Sequence, residues 1–206
     1  MRKKIEIERI YQVALINFSN SGYKKTTLDD ISKDLGVTKG NLYLYANNKQ
    51  SLYHDSIRYA LINWQSRVKS AFQNINNPKE QLLILCQKAF SYLAADHIFC
   101  EILKNDPEIF PFFSENDRFK EINDESIAMI KSIIQNGIEQ KQFMDVDAEK
   151  ISQVFFSIYK MFIIQAYVKN ESSDVLSVFL QTLDLITTGL FVPEQNYLGG
   201  NDGRNV

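Results

Sequence analysis

Cysteine is nearly missing from this chain of 206 residues: Cys86 and Cys100 stand alone, outside any CxxC or metal-ligand spacing. With no disulfide framework to build, a reducing cytoplasm is the expected compartment. Both thiols read as small buried apolar groups rather than nucleophiles. The only histidines, His54 and His97, lie far apart, with no carboxylate or thiol at ligand spacing, so no metal site is expected. No Ser/His/Asp or Cys/His order suggests a nucleophile, and no glycine-rich phosphate loop is present. An enzyme is therefore not the first expectation, and no cofactor is implied. No apolar run approaches the roughly 18 residues of a membrane span. The N-terminal Lys and Arg are not followed by an apolar core of signal-peptide length. A soluble cytoplasmic protein that does not contact membranes is expected.

Proline (4) and glycine (8) are also scarce, and apolar residues recur three and four apart along nearly every long segment. That periodicity predicts an all-α fold. Ile10, Val13, Ala14 and Phe18 mark a first helix that stops before Gly22. Thr27, with Asp30 three residues on, caps a second helix ending at Gly36. A third runs from Thr38 to about Tyr45, and a long fourth from Lys49 to about Asn74. The fifth starts at Pro78 and carries Leu82, Leu85, Cys86, Ala89 and Leu93. Pro107 and Pro111 limit residues 96–117 to short pieces. Further helices are predicted over about 119–141, from an Asp147 cap to about Val168, and over about 173–191, before Pro193. The tail from Gly199 has too little apolar content to fold alone.

Charge is unevenly spread. Residues 1–70 hold 12 Lys+Arg against 6 Asp+Glu, and the remainder hold 11 against 19. A basic head on an acidic body points to a polyanion met by the head alone. Within that head, two short helices joined through Leu35-Gly36-Val37 make a helix-turn-helix, the glycine permitting the tight turn. Ile31, Leu35, Val37 and Leu42 are expected to form its inner contact. Thr38, Lys39, Asn41, Tyr43, Tyr45 and Lys49 offer hydrogen-bonding groups suited to phosphates and base edges.

Residues 22–52, GYKKTTLDDISKDLGVTKGNLYLYANNKQSL, closely resemble the DNA-binding domain of the tetracycline-repressor (TetR) family of transcriptional regulators. The resemblance rests on Gly22-Tyr23, Thr26-Thr27, Asp30-Ile31-Ser32, LGVTKGNLY from Leu35 to Tyr43, and Lys49. A looser similarity runs from Gly137 to Phe155. The resemblance implies that Thr27 caps its helix and binds phosphate, and that Thr38, Lys39, Gly40 and Asn41 open the recognition helix. Gly40 would admit a close backbone approach. Tyr43 and Lys49 would anchor phosphates, and Tyr45 sits where many members place His or Tyr. Ala46 departs from the common Phe, which puts local packing in question.

Thirteen of the fourteen Phe lie after residue 70. Any one of them is first a core residue. As a set, Phe90, Tyr92, Phe99, Phe110, Phe113, Phe155, Tyr159 and Phe162 are the candidates for lining an apolar effector cavity. The last two helices carry broad apolar stripes that include Ile151, Ile158, Phe162, Phe179, Leu183 and Ile186. Pairing them with a second copy would form a four-helix, two-fold interface. The expectation is an all-α homodimer: a head (1–48), an effector-binding and dimerisation domain (49–192), and a tail (193–206). It would bind double-stranded palindromic operator DNA and release it on binding a small, mostly apolar effector. The alternatives are a DNA-binding protein that senses no ligand and, more distantly, a helical carrier or enzyme.

Overall fold

The structure is a computed structural model that describes residues 5–111, 115, 117–168 and 175–190, without the side chains of 167, 168 and 176. Phe113 and the tail therefore lie outside the described residues. Nine α-helices are described: α1 (Ile7–Lys25), α2 (Leu28–Leu35), α3 (Lys39–Leu42), α4 (Lys49–Phe72), α5 (Pro78–Ala94), α6 (His97–Asn105), α7 (Lys120–Glu139), α8 (Ala148–Ile163) and α9 (Val175–Leu190).

Side-chain caps explain most of the starts. Thr27 and Asp30 form a reciprocal capping box at α2, and Asn48 with Ser51 forms another at α4. Thr38, Asn77, Asp96 and Asp147 cap α3, α5, α6 and α8 through their side-chain oxygens. Gly36 ends α2 at φ 69°, a left-handed conformation that glycine adopts without strain.

Besides α3, which ends at Leu42 rather than about Tyr45, three boundaries differ from the sequence expectation. Gly22 kinks α1 instead of ending it: at φ 74° and ψ 160° it breaks the helical path, yet helical turns resume to Lys25. The 96–117 stretch contains a nine-residue helix, α6, because both prolines fall after its end. Phe99, Cys100, Ile102 and Leu103 are all buried on it. Regular α8 stops at Ile163, and Ile164–Val168 continues as a wider π-helical turn.

Two cores result. The first joins α1–α3 to the start of α4 and to α6, through residues such as Ile10, Phe18, Ile31, Leu42, Leu52, Ile57, Phe99 and Ile102. The second joins the end of α4 to α5, α7, α8 and α9 around Val68, Leu82, Ile134, Phe155 and Phe179. The head core thus does not close at residue 48; it continues through Leu61 on α4. Trp64 and Tyr159 pack against both cores. At ~1.5 Å per residue, the 24 residues of α4 span about 36 Å and connect the two.

Candidate nucleic-acid interface and effector cavity

Ile31 and Leu42 are fully buried, so α3 is fixed on α2 by apolar contact although it is only four residues long. Burial of each such side chain stabilises by about 1.5–3 kcal/mol. Ala46 is also buried, its small side chain fitting the head core without a larger ring. The opposite face of the unit is exposed at Thr27, Thr38, Lys39, Gly40 and Tyr43, with Asn41 half-buried among them. All but Thr27, which caps α2, lie on α3 or cap its ends.

Their polar atoms are not equally available. Thr27 Oγ1 accepts from the Asp30 amide at 3.2 Å, while Asp30 Oδ2 accepts from the Thr27 hydroxyl at 2.7 Å and the Thr27 amide at 2.9 Å. Those Thr27 bonds hold the Asp30 carboxyl below its ordinary value. Thr38 Oγ1 accepts from the Asn41 amide at 3.3 Å. The Lys39 ammonium pairs with Asp29 Oδ2 at 2.7 Å, which raises its pKa, and the pair is well exposed. A polyanion can take Lys39 from Asp29 with little loss, since exposed pairs contribute only about 0–1 kcal/mol.

Two residues named by resemblance face inward. The Lys49 ammonium donates to the carbonyl oxygens of Tyr23 at 2.8 Å, Thr26 at 3.0 Å and Lys24 at 3.4 Å. It also sits 4.5 Å over the Tyr23 ring. Lys49 therefore ties the end of α1 to the start of α4, so the phosphate-anchor expectation must compete with this internal role. Tyr45 packs its ring on the head core, and its hydroxyl accepts the Ile5 amide at 3.1 Å. Thr26, part of the motif but given no role from the sequence, is buried and donates to the Gly22 and Asn17 carbonyls at 2.9 and 3.1 Å, bracing the α1 kink.

Residues 10–55, the unit just described, match the bacterial regulatory proteins of the tetR family. This chain belongs to the TetR family. It is a DNA-binding transcriptional regulator, and the head carries that function. Over 195 residues the regulator is 20% identical to the fatty acid metabolism regulator protein of Bacillus subtilis, spanning 92% of this chain and 97% of that one. The crystal structure of FadR from Bacillus subtilis with stearoyl-CoA superposes at a TM-score of 0.74, with 21% identity, over 89% of this chain and 99% of that one. A regulator from Saccharomonospora viridis solved with choline gives a TM-score of 0.75 at 17% identity, over 91% and 98%.

In the body of the regulator an inner chamber lies between α4, α5, α7 and α8, with about 50 Å³ of free space. Leu61, Val68, Leu85, Ile130, Phe155 and Tyr159 give it mainly apolar walls, with Gln65, Asn123 and Ser126 at the α4–α7 seam. Gln65 Nε2 closes that seam by donating to the Ile122 carbonyl at 2.9 Å and to Ser126 Oγ at 3.0 Å. Of the sequence candidates, Phe155 and Tyr159 line the chamber, while Phe99 lines a separate groove beside α1. Phe90 and Phe162 instead pack on Phe179, Phe110 packs on Trp64, and Tyr92 lies under the Arg67 guanidinium. These four rings make core or surface contacts and are not among the residues lining the chamber. The α4 lining was missed, although Gln65 gave a signal, being a polar residue on the stripe of Leu61 and Val68.

The dimerisation candidates also divide. Phe162, Phe179 and Leu183 are buried in the chain's own second core. The outward residues of α8 are Val154 and Met161, flanked by half-buried Ile151 and Ile158; α9 turns out Val178 and Leu185. Among the described residues, no helix is long and apolar enough to cross a membrane, and no cluster of His, Cys, Asp or Glu could hold a metal.

Proposed function

We propose that this regulator is a homodimeric repressor that grips a palindromic operator with two heads and lets go when an acyl-chain effector enters the body. The observation that carries this reading is the course of α4: one rigid helix leaves the recognition unit and forms a wall of the apolar chamber. Widening the chamber for a ligand must move α4, and with it the spacing of the heads. Helix-turn-helix dimers meet half-sites about 34–36 Å apart, so a small rotation misaligns them.

Thr38, Lys39, Gly40 and Asn41 are assigned to the major groove, with Thr27 and Tyr43 on the flanking phosphates. An acyl chain is preferred over a compact cation because apolar side chains dominate the lining and no carboxylate is among them. The relative bound to stearoyl-CoA supports the same class. Dimerisation is assigned to the outward stripes of α8 and α9, which would otherwise leave apolar side chains in water on both helices.

The test is retardation of DNA from upstream of the regulator's own gene, across a salt series, with and without palmitoyl-CoA and with choline as a parallel arm. Specific binding that weakens steeply with salt and is reversed by palmitoyl-CoA is the expected result. Specific binding indifferent to both compounds would instead favour a DNA-binding protein without a sensor.

A further inference from the structure

A second concavity adjoins α4 on its other side. This groove holds about 330 Å³ between α1, α4 and the α5–α6 corner, and is lined by Gln12, Ile16, Asn63, Arg67, Asp96 and Ile98 among others. Ile16 and Ile98 contribute apolar surface to it while remaining 42% and 40% exposed. Trp64 lines both the groove and the inner chamber, and packs against both cores. Its indole donates one hydrogen bond, to the Ala89 carbonyl at 3.0 Å, and stacks on Tyr159 at 5.9 Å. The partition between the two spaces therefore includes a side chain that rotamer change can move.

The charged residues lining the groove are Arg67 and Asp96, and the Asp96 carboxylate is engaged at the start of α6, where it accepts the Phe99 amide at 3.0 Å. The exposed Arg67 guanidinium lies 4.6 Å from the Tyr92 ring centre, and the Lys88 ammonium lies 5.7 Å from the same centre. Among the described residues neither forms an ion pair. Two cations beside one ring, with the groove's carboxylate, Asp96, taken up as the α6 cap, offer an anion a partner.

We propose that the groove and the chamber are two halves of one site for an amphipathic anion, divided by Trp64. The chain displaces the indole and fills the chamber, and the anionic head stays in the groove against Arg67, with Lys88 beside it. This rests on the effector reading above and adds to it the residues that select the head. It also brings the ligand against Gln12, Leu15 and Ile16 of α1, so occupancy acts on the head by contact as well as through α4.

Trp64 is the only tryptophan in the sequence, so its emission reports on the partition directly. Palmitate, palmitoyl-CoA and coenzyme A alone are titrated into the full chain, following emission, Tm and DNA release, for the wild type, Arg67→Ala and Ala60→Phe. The expected result is a saturable emission change with a chain-bearing compound and none with coenzyme A alone. Arg67→Ala, an exposed change, should melt like the wild type without ligand yet bind at least tenfold more weakly. Ala60→Phe, which fills the groove, should abolish the response. Tighter binding of palmitoyl-CoA than palmitate assigns the head to phosphate, and the reverse assigns it to carboxylate; either supports the two-part site. Palmitoyl-CoA that raises Tm and releases DNA with Trp64 emission unmoved, and equally well in Arg67→Ala, overturns the two-part site while leaving the effector reading intact. No response of Tm, emission or DNA binding to either chain overturns both.

Discussion

At Gly40 an added Cβ would meet no atom of the chain within 4 Å, and the backbone there has no positive φ. Nothing inside the fold asks for glycine, whereas an approaching phosphate or base edge would. Lys49 presents the converse, an ammonium held by three carbonyls at the end of α1. The two residues therefore separate recognition from support. Gly40→Ala should hold or raise Tm, since alanine is the better helix former by about 1 kcal/mol. It should also weaken operator binding about tenfold, or ~1.4 kcal/mol. Lys49→Ala should lower stability by about 1–3 kcal/mol, because the carbonyls lose a charged donor. Denaturant melts and DNA titrations on the same preparations check both. A Lys49→Ala protein of wild-type stability whose salt slope drops by about one unit would restore the phosphate role.

Among the elements, α4 links head and body, and its early turns show how. The Tyr53 ring meets Phe18 edge-on at 4.8 Å and Tyr23 at 4.9 Å, inside the head. Its hydroxyl donates to Asp106 Oδ2 at 2.9 Å, where Arg118 also donates at 2.8 Å. Burial, with the Asp106 charge next, raises the Tyr53 pKa far above its ordinary value, so the hydroxyl stays a donor at neutral pH. Tyr53→Phe should keep the ring contacts, lower stability by about 1 kcal/mol, and reduce the factor by which effector weakens operator binding. An unchanged factor would remove this bond from the coupling route. Helix order was legible at this scale because caps such as Thr27, Thr38 and Asp147 and apolar periodicity are local signals. The kink at Gly22 and the π-turn after Ile163 were not, since tertiary packing decides whether an interrupted helix resumes. The recognition helix was readable as a contiguous motif. The chamber was not, because its walls come from four helices and periodicity does not say which apolar residue meets a void.

For the molecule as a whole, the two-sided character of α8 and α9 is the central packing fact. Phe162, Phe179 and Leu183 serve the chain's own core, leaving Val154, Met161, Val178 and Leu185 outward. Leu185 is 75% exposed, so Leu185→Glu should leave the isolated chain folded while placing charge in the proposed interface. Sedimentation should then show monomers, and operator affinity should fall because two heads no longer bind together. Leu183→Glu should instead unfold the body by burying an unpaired charge. A Leu185→Glu protein that remains a tight dimer would move the interface elsewhere.

The account's central claim is that body and head share one equilibrium, and reciprocity tests it most directly. Operator affinity is measured with and without saturating palmitoyl-CoA, and palmitoyl-CoA affinity with and without saturating operator. The account predicts that each ligand weakens the other by the same factor, about 5–150-fold for a coupling of about 1–3 kcal/mol. Palmitoyl-CoA that binds free and operator-bound protein equally well would contradict it, since such a ligand shifts no equilibrium.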